Sequence, residues 1–243
     1  MWSDWITPDW PAPEWVRACV TTRWGGVSSG PYDSLNLGDH VGDHPAAVRE
    51  NRRRLFSVLE LPEEPLWLRQ VHGNRVVEAG AASPGCEADA SFSRVRGQVC
   101  VVMSADCLPL LLCDHTGSCV AALHAGWRGL ADGVIEAALG RLQTPASEIL
   151  AWLGPAIGPD HFMVGDEVRQ RFLQHDSRAE TAFRPAGRRW LADIYLLARQ
   201  RLHGSGVSAV YGGGECTFQN RERYFSYRRD GTTGRMASLI WLT

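Results

Sequence analysis

Three unbroken apolar runs are crowded into residues 98–123: Val99–Met103, Leu108–Cys113 and Cys119–Leu123. Each is followed at once by a turn or by a cluster of chemistry-bearing residues: Ser-Ala-Asp-Cys-Leu-Pro, Asp114–Gly117 and His-Ala-Gly-Trp-Arg-Gly. Runs of this length bounded by breakers read as buried strands, and they fall far short of the ~18 residues a membrane span needs. Such strands must be covered by other layers. The rest of the chain offers Arg17–Arg23, Leu66–Leu68, Val76-Val77, Val207–Tyr211 and Ala237–Trp241 as further strands. Helices are expected over Pro45–Leu59, Asp166–Gln174 and Ile194–Leu202. Another is expected after His124–Gly129, where Leu130, Val134, Ala138 and Leu142 form one apolar stripe. Trp152–Pro159 reads as a Gly/Pro loop. Strands and helices interleave without a linker or repeat, so residues 1–243 are expected to form a single domain of mixed α and β structure.

Composition closes several routes. All 25 basic residues are Arg, which excludes Schiff-base chemistry and a phosphate-loop lysine. Against 27 acidic residues the net charge is −2, so no nucleic-acid or membrane partner is expected. The seven cysteines are odd in number, and Met1–Val20 has neither a basic start nor a continuous apolar stretch. A cytoplasmic, reducing setting is expected. Trp2, Trp5, Trp10 and Trp15 could form a carbohydrate platform, but the reading preferred is a lid on the core. The C-terminal run Arg221, Arg223, Arg228, Arg229 and Arg235 reads as a solvated face.

Three reactive side chains stand at strand ends beside turn residues: His72 in Gln-Val-His-Gly, Cys107 in Ala-Asp-Cys-Leu-Pro and His124 in His-Ala-Gly-Trp-Arg-Gly. Two imidazoles and a thiolate suit zinc and leave a fourth tetrahedral position open. The same trio also suits a metal-free Cys–His hydrolase, with one imidazole deprotonating Cys107. Separations of 35 and 17 residues do not decide between them. The helix start after His124, with Arg128 in the turn, favours an anion such as phosphate or carboxylate; Arg128 as a surface cap is the alternative. Asp106 adjoins Cys107 and could orient a ligand or act as a base, which requires an irregular backbone there. Gly25-Gly26 with Ser34–Gly38 matches neither common phosphate-loop spacing.

Six motifs in order resemble the YfiH family, from about residue 17 to the C-terminus: Gly-Gly-Val-Ser-Ser-Gly-Pro-Tyr with Ser-Leu-Asn-Leu-Gly (25–38), Val-Gly-Asp-His-Pro (41–45), Gln-Val-His-Gly (70–73), Ala-Asp-Cys-Leu-Pro (105–109), His-Ala-Gly-Trp-Arg-Gly (124–129) and Phe-Ser-Tyr-Arg-Arg-Asp-Gly-Thr-Thr-Gly-Arg (225–235). Members of that family are called laccase-domain proteins, multicopper polyphenol oxidases, peptidoglycan editing factors, or purine nucleoside phosphorylases with adenosine deaminase activity. The resemblance implies an α+β domain with mixed β-sheets packed face to face and helices on the outer faces. It implies zinc held by His72, Cys107 and His124, with copper the other metal those donors take. Its implied substrates are phosphate and purine nucleosides: adenosine, inosine, guanosine and methylthioadenosine for phosphorolysis, and adenosine for deamination. Asn36, Arg52 and Arg128, in matched motifs, are expected to position phosphate or nucleoside, and Asp106 to serve in acid–base work. The His-x-Glu and Pro-Cys-x-x-Cys hallmark of zinc nucleobase deaminases is absent. Eight histidines without a His-x-His pair also provide too few ligands for several copper centres. The alternatives carried forward are a metal-independent Cys–His amidase in peptidoglycan editing and a mononuclear copper polyphenol oxidase.

Overall fold

The computed structural model describes residues 4–243, so Trp2 of the aromatic start lies outside the described residues. In chain order the elements are β1 (Val16–Val20), α1 (Pro45–Val58), β2 (Val76–Glu78), β3 (Ala90–Ser93), β4 (Cys100–Ser104), β5 (Leu108–Asp114), β6 (Val120–Ala125), α2 (Trp127–Ala131), α3 (Val134–Leu142), β7 (Ile149–Leu153), β8 (Met163–Val164), α4 (Asp166–Leu173), β9 (Phe183–Ala186), β10 (Arg189–Ala192), α5 (Ile194–Gly204), β11 (Ala209–Gly212), α6 (Tyr227–Asp230) and β12 (Met236–Leu242). They make a six-stranded sheet ordered β11-β7-β5-β6-β3-β2 and two three-stranded sheets, β1-β12-β4 and β8-β10-β9. The large sheet is mixed, with β2–β3 and β7–β11 parallel and the rest antiparallel.

Period-two alternation sorts the side chains into layers. Along β5, Leu108, Leu110 and Leu112 face one core and Leu111 and Cys113 another. The first core is completed by helices: Leu130 of α2, Val134, Ile135, Ala138 and Leu142 of α3, and Ile194, Leu197, Ala198 and Leu202 of α5. The second is filled from the small sheet by Val16, Val20, Cys100, Val102, Ile240 and Leu242. That sheet's outer face, with Val101, Met103, Leu239 and Trp241, receives Leu55 of α1. The architecture is therefore α+β, two sheets packed face to face with helices outside, as the family resemblance implied.

Some local expectations are corrected. The apolar stripe 130–142 does not form one helix: Gly133 adopts φ 90°, ending α2 and starting α3. Trp152 and Leu153, expected in a loop, end strand β7. The aromatic start is only partly a lid: Ile6 and Trp10 pack on the inter-sheet core, whereas Trp15 is 43% exposed and its indole N–H donates to the Gly117 carbonyl. Nor is the whole C-terminal arginine run a solvated face, although Arg221 and Arg228 are exposed. Arg229 turns inward onto the carbonyls of Thr217, Phe218 and Tyr224, and Arg228 and Arg235 line a cleft. No helix among the described residues is long and apolar enough to cross a membrane.

Candidate metal centre and its two-lobed cleft

Register and alternation bring the three predicted donors together. On β6, Val120 and Ala122 face the small sheet, so His124 does too, at the strand's end. Leu108 of β5 pairs with Ala125, which sets Cys107 beside the residue after β6. His72 comes from a loop in which its own φ is 60°. That loop is pinned by Gln70, whose side-chain amide donates to the Met103 carbonyl at 2.8 Å and accepts from the Met103 N–H at 2.7 Å. The donor atoms of His72, Cys107 and His124 lie within 4.8 Å of one another. The edge of a tetrahedral zinc site is roughly 3.3–3.6 Å, so small side-chain rotations close the set.

A residue the sequence reading missed organises this centre. Asp89 is fully buried. Its carboxylate accepts the backbone N–H groups of Val71, His72 and Gly73 at 3.2, 2.9 and 2.7 Å. One of its oxygens also lies 2.8 Å from His124 Nδ1. A carboxylate on Nδ1 fixes the tautomer and leaves Nε2 as the ligating nitrogen. Burial alone would raise the Asp89 carboxyl; the His124 contact and the loop amides outweigh it and hold the group ionised. Burial alone would likewise raise the Cys107 thiol, but the charge and hydrogen bonds of His124 and His72 bring it down to about 6. His124 is raised in turn: burial opposes its charge, and Cys107 and Asp89 prevail. The two shifts have one cause, the mutual attraction of thiolate and imidazolium.

Glycines make the convergence sterically feasible. A Cβ on Gly126 would sit 3.1 Å from both Cys107 Sγ and His72 Cδ2 and 3.5 Å from His124 Cε1. A Cβ on Gly129 would sit 2.4 Å from the Gly73 carbonyl oxygen, so this glycine lets α2 approach the His72 loop. One thiolate, two imidazoles, a carboxylate behind one of them and a cleared face at Gly126 fit a borderline-soft divalent ion well.

The trio lies where two clefts meet. Both are lined by His72, Ala105, Cys107 and Tyr227. One, about 360 Å³, continues past His40, Gln70, Ser104 and Arg235. The other, about 220 Å³, is walled by Trp127, Ile157, Phe162 and Ile194, with Asp106, Arg128 and Arg228. Arg128 is exposed there, its guanidinium 4.5 Å from the centre of the Trp127 ring. The five-residue α2 behind it is too short to carry much of the expected helix-dipole field.

The remaining predicted residues have other surroundings. Asp106 has φ 94°, the irregular backbone its position demands. One carboxylate oxygen accepts from Thr217 Oγ1 at 2.7 Å and the other from the Arg228 backbone N–H at 2.6 Å. Both lone-pair faces nearest those donors are committed to holding α6. Asn36 is fully buried and lines neither cleft: its Oδ1 accepts from the Gly38 and Arg235 amides, and its Nδ2 donates to the Gly38 carbonyl and Asp43. Arg52 also stands behind the cleft, donating to the Leu37 carbonyl, lying 4.0 Å from the Trp67 ring centre and 3.4 Å from Asp39. The Gly25–Gly38 loop wraps Asn51, which accepts from the Val27 amide and donates to Ser28 and the Asn36 carbonyl. Besides Asp89, the sequence reading missed His40, Tyr227, Arg235, Trp127 and Phe162. Of these, only the family-typical motifs around His40, Tyr227, Arg235 and Trp127 gave any signal.

A family profile described as multi-copper polyphenol oxidoreductase laccase matches residues 17–243. A purine nucleoside phosphorylase of Pseudomonas aeruginosa is 59% identical over 240 residues, covering 98% of both chains. The Escherichia coli protein named purine nucleoside phosphorylase YfiH is 56% identical over 238 residues, again covering 98% of each. Among solved structures, a Neisseria meningitidis protein of the DUF152 family superposes with a TM-score of 0.96 at 50% identity, covering 99% of both chains.

Proposed function

The chain belongs to the YfiH family, and from that premise we propose that it is a zinc-dependent purine nucleoside phosphorylase, one catalytic unit spanning residues 1–243, with adenosine deaminase activity as well. The observation that carries the reading is the meeting of two imidazoles and a thiolate at the junction of two clefts, one holding His40, Gln70 and Arg235, the other aromatic residues with Arg128 and Arg228. A nucleoside and a phosphate must meet at one reacting carbon, and two adjoining lobes suit that need. The named activity of relatives 56–59% identical over nearly the whole chain supports it.

In this reading His72, Cys107 and His124 hold zinc, with Asp89 orienting His124 and the His72 loop. When bound, zinc would supply Lewis acidity beside the cleft. Trp127 and Phe162 offer faces on which a purine stacks. Arg128, Arg228 and Arg235 neutralise phosphate and fix its approach to the anomeric carbon. Such positioning can remove on the order of 7–11 kcal/mol of barrier. Asn36 and Arg52 act from behind, holding the loop that carries His40. Asp106, with both oxygens engaged, holds α6 and Tyr227 against the cleft. Seven free thiols suit a reducing cytosol, to which we assign the protein.

Among the described residues His and Cys form one group able to hold a metal, so an oxidase with several copper centres lacks its ligands. A second reading, a Cys-nucleophile amidase, is favoured by the two imidazoles beside Cys107, which bring its thiol down to about 6 and so favour the thiolate. One experiment separates the two. The metal-loaded protein is given adenosine with phosphate, then treated with a chelator. Ribose 1-phosphate, adenine and inosine are expected from the loaded protein, none after chelation or in Cys107→Ala, and recovery with zinc. In the chelated protein iodoacetamide labels Cys107 with a midpoint near pH 6, labelling falling as the thiolate is protonated below it. Nucleoside turnover that survives chelation overturns the zinc reading. Turnover of an amide substrate that chelation spares and iodoacetamide abolishes establishes the amidase.

A further inference from the structure

Both proposed reactions move a proton from an attacking oxygen to a departing nitrogen. In phosphorolysis a C1′–O bond forms as C1′–N9 breaks; the bonding pair goes to the purine, and the proton of hydrogen phosphate must follow it. In deamination a C6–O bond forms and C6–N breaks; one proton of the water leaves with ammonia and the other ends on the inosine ring. Some group in the cleft has to carry that proton.

Apart from the three metal donors and the arginines, the titratable side chains lining the two lobes are His40, Asp106 and Tyr227. Asp106 is committed to Thr217 and the Arg228 amide. Tyr227 offers a neutral phenol, a poor proton acceptor. His40 remains, and an imidazole can both accept and donate a proton. It lines the larger lobe with His72, Cys107 and His124, and its side chain is 56% exposed.

Its surroundings orient it. Asp39 Oδ1 lies 3.5 Å from His40 Nδ1, and the other Asp39 oxygen lies 3.4 Å from Arg52. Exposed pairs of this kind contribute little stability. Here Asp39 stands between the Arg52 guanidinium and the Nδ1 side of the His40 ring. The loop itself is anchored by Asn36 and Asp43 and by the Tyr32 hydroxyl donating to the Val41 carbonyl. Resting on the nucleoside reading above, we propose that His40 is the proton carrier of this site, its neutral imidazole accepting from the attacking oxygen and delivering to the leaving nitrogen. The charged groups facing it agree with that role. Partial burial and the Arg235 cation hold the imidazolium below its usual range, with Arg52 adding to this; the Asp39 contact opposes them without prevailing. The base form is therefore dominant at pH 7 and is lost as pH falls through the lowered value.

The test is His40→Ala, with His40→Gln beside it, in the zinc-loaded full chain. Expected are a kcat lower by 10²-fold or more, KM for adenosine and bound zinc per chain within about twofold of wild type, and an unchanged melting temperature. The acid limb of the kcat profile is expected to vanish from the variants. Millimolar imidazole is expected to restore His40→Ala, more strongly as pH rises and more of it is neutral, and to leave wild type unaffected. A raised KM with kcat intact, or a loss that imidazole does not restore, overturns the assignment. A wild-type protein that turns over no nucleoside defeats the underlying reading itself, whatever His40 does.

Discussion

Asp89 shows how much can depend on one side chain. Its carboxylate sits under both histidine ligands, bonded to the backbone of one and the ring of the other. Asp89→Asn keeps the shape but loses the charge and turns an N–H₂ toward groups that are themselves donors. Zinc affinity is expected to fall about 10–100-fold, read by chelator competition. Asp89→Ala leaves three loop amides unpaired and is expected to lower stability by roughly 3–5 kcal/mol, read by denaturant unfolding. The three candidate donors were legible in the sequence because Cys107 and His124 flank apolar strands and His72 precedes a glycine in a turn. Asp89 was not, because Glu-Ala-Asp-Ala-Ser has no local pattern and its partners are 16–18 residues before it and 35 after it. Arg52 and Asn36 were legible as special positions but not as supports, since only the fold shows that their polar atoms face inward.

At the scale of elements, the turn from β6 into α2 is built around two glycines with different duties. Gly129→Ala meets the Gly73 carbonyl, a main-chain atom that cannot rotate away. It is expected to push α2 off the His72 loop at a cost of about 1–3 kcal/mol. Gly126→Ala meets side-chain atoms of all three ligands, so it is expected to lose zinc while the melting temperature of the apo protein changes little. Metal analysis alongside thermal unfolding distinguishes the pair. Strands β4, β5 and β6 were readable because they are apolar on both faces. Strand β3 was not: Ala-Ser-Phe-Ser is half polar, yet Ser91 and Ser93 are fully buried. The break at Gly133 was hidden because Leu130, Val134, Ala138 and Leu142 keep helical spacing across it. The β9–β10 hairpin, Phe-Arg-Pro-Ala and Arg-Trp-Leu-Ala, has no two-residue apolar alternation to find.

For the molecule as a whole, the layers are joined by apolar side chains. The inter-sheet core of Val102, Leu111, Val120 and Ile240 lies among residues that are almost completely buried. Removal of zinc is expected to leave far-UV circular dichroism unchanged, with activity gone. Leu111→Ala, by contrast, empties the space between the sheets and is expected to lower stability by roughly 2–5 kcal/mol, checked by urea unfolding. The sandwich itself was recognisable from family resemblance rather than from periodicity, because alternation assigns strands to faces but not to partners.

The pairing of Pro109 with His124 has a consequence for how the chain matures. A slip of one residue between those strands would swing the imidazole through to the helical layer and leave its thiol and imidazole counterparts without a third arm. A nascent chain zipped in the wrong frame would thus be unable to capture its ion. On the zinc reading, metal uptake by newly made protein would then report the alignment of β5 with β6.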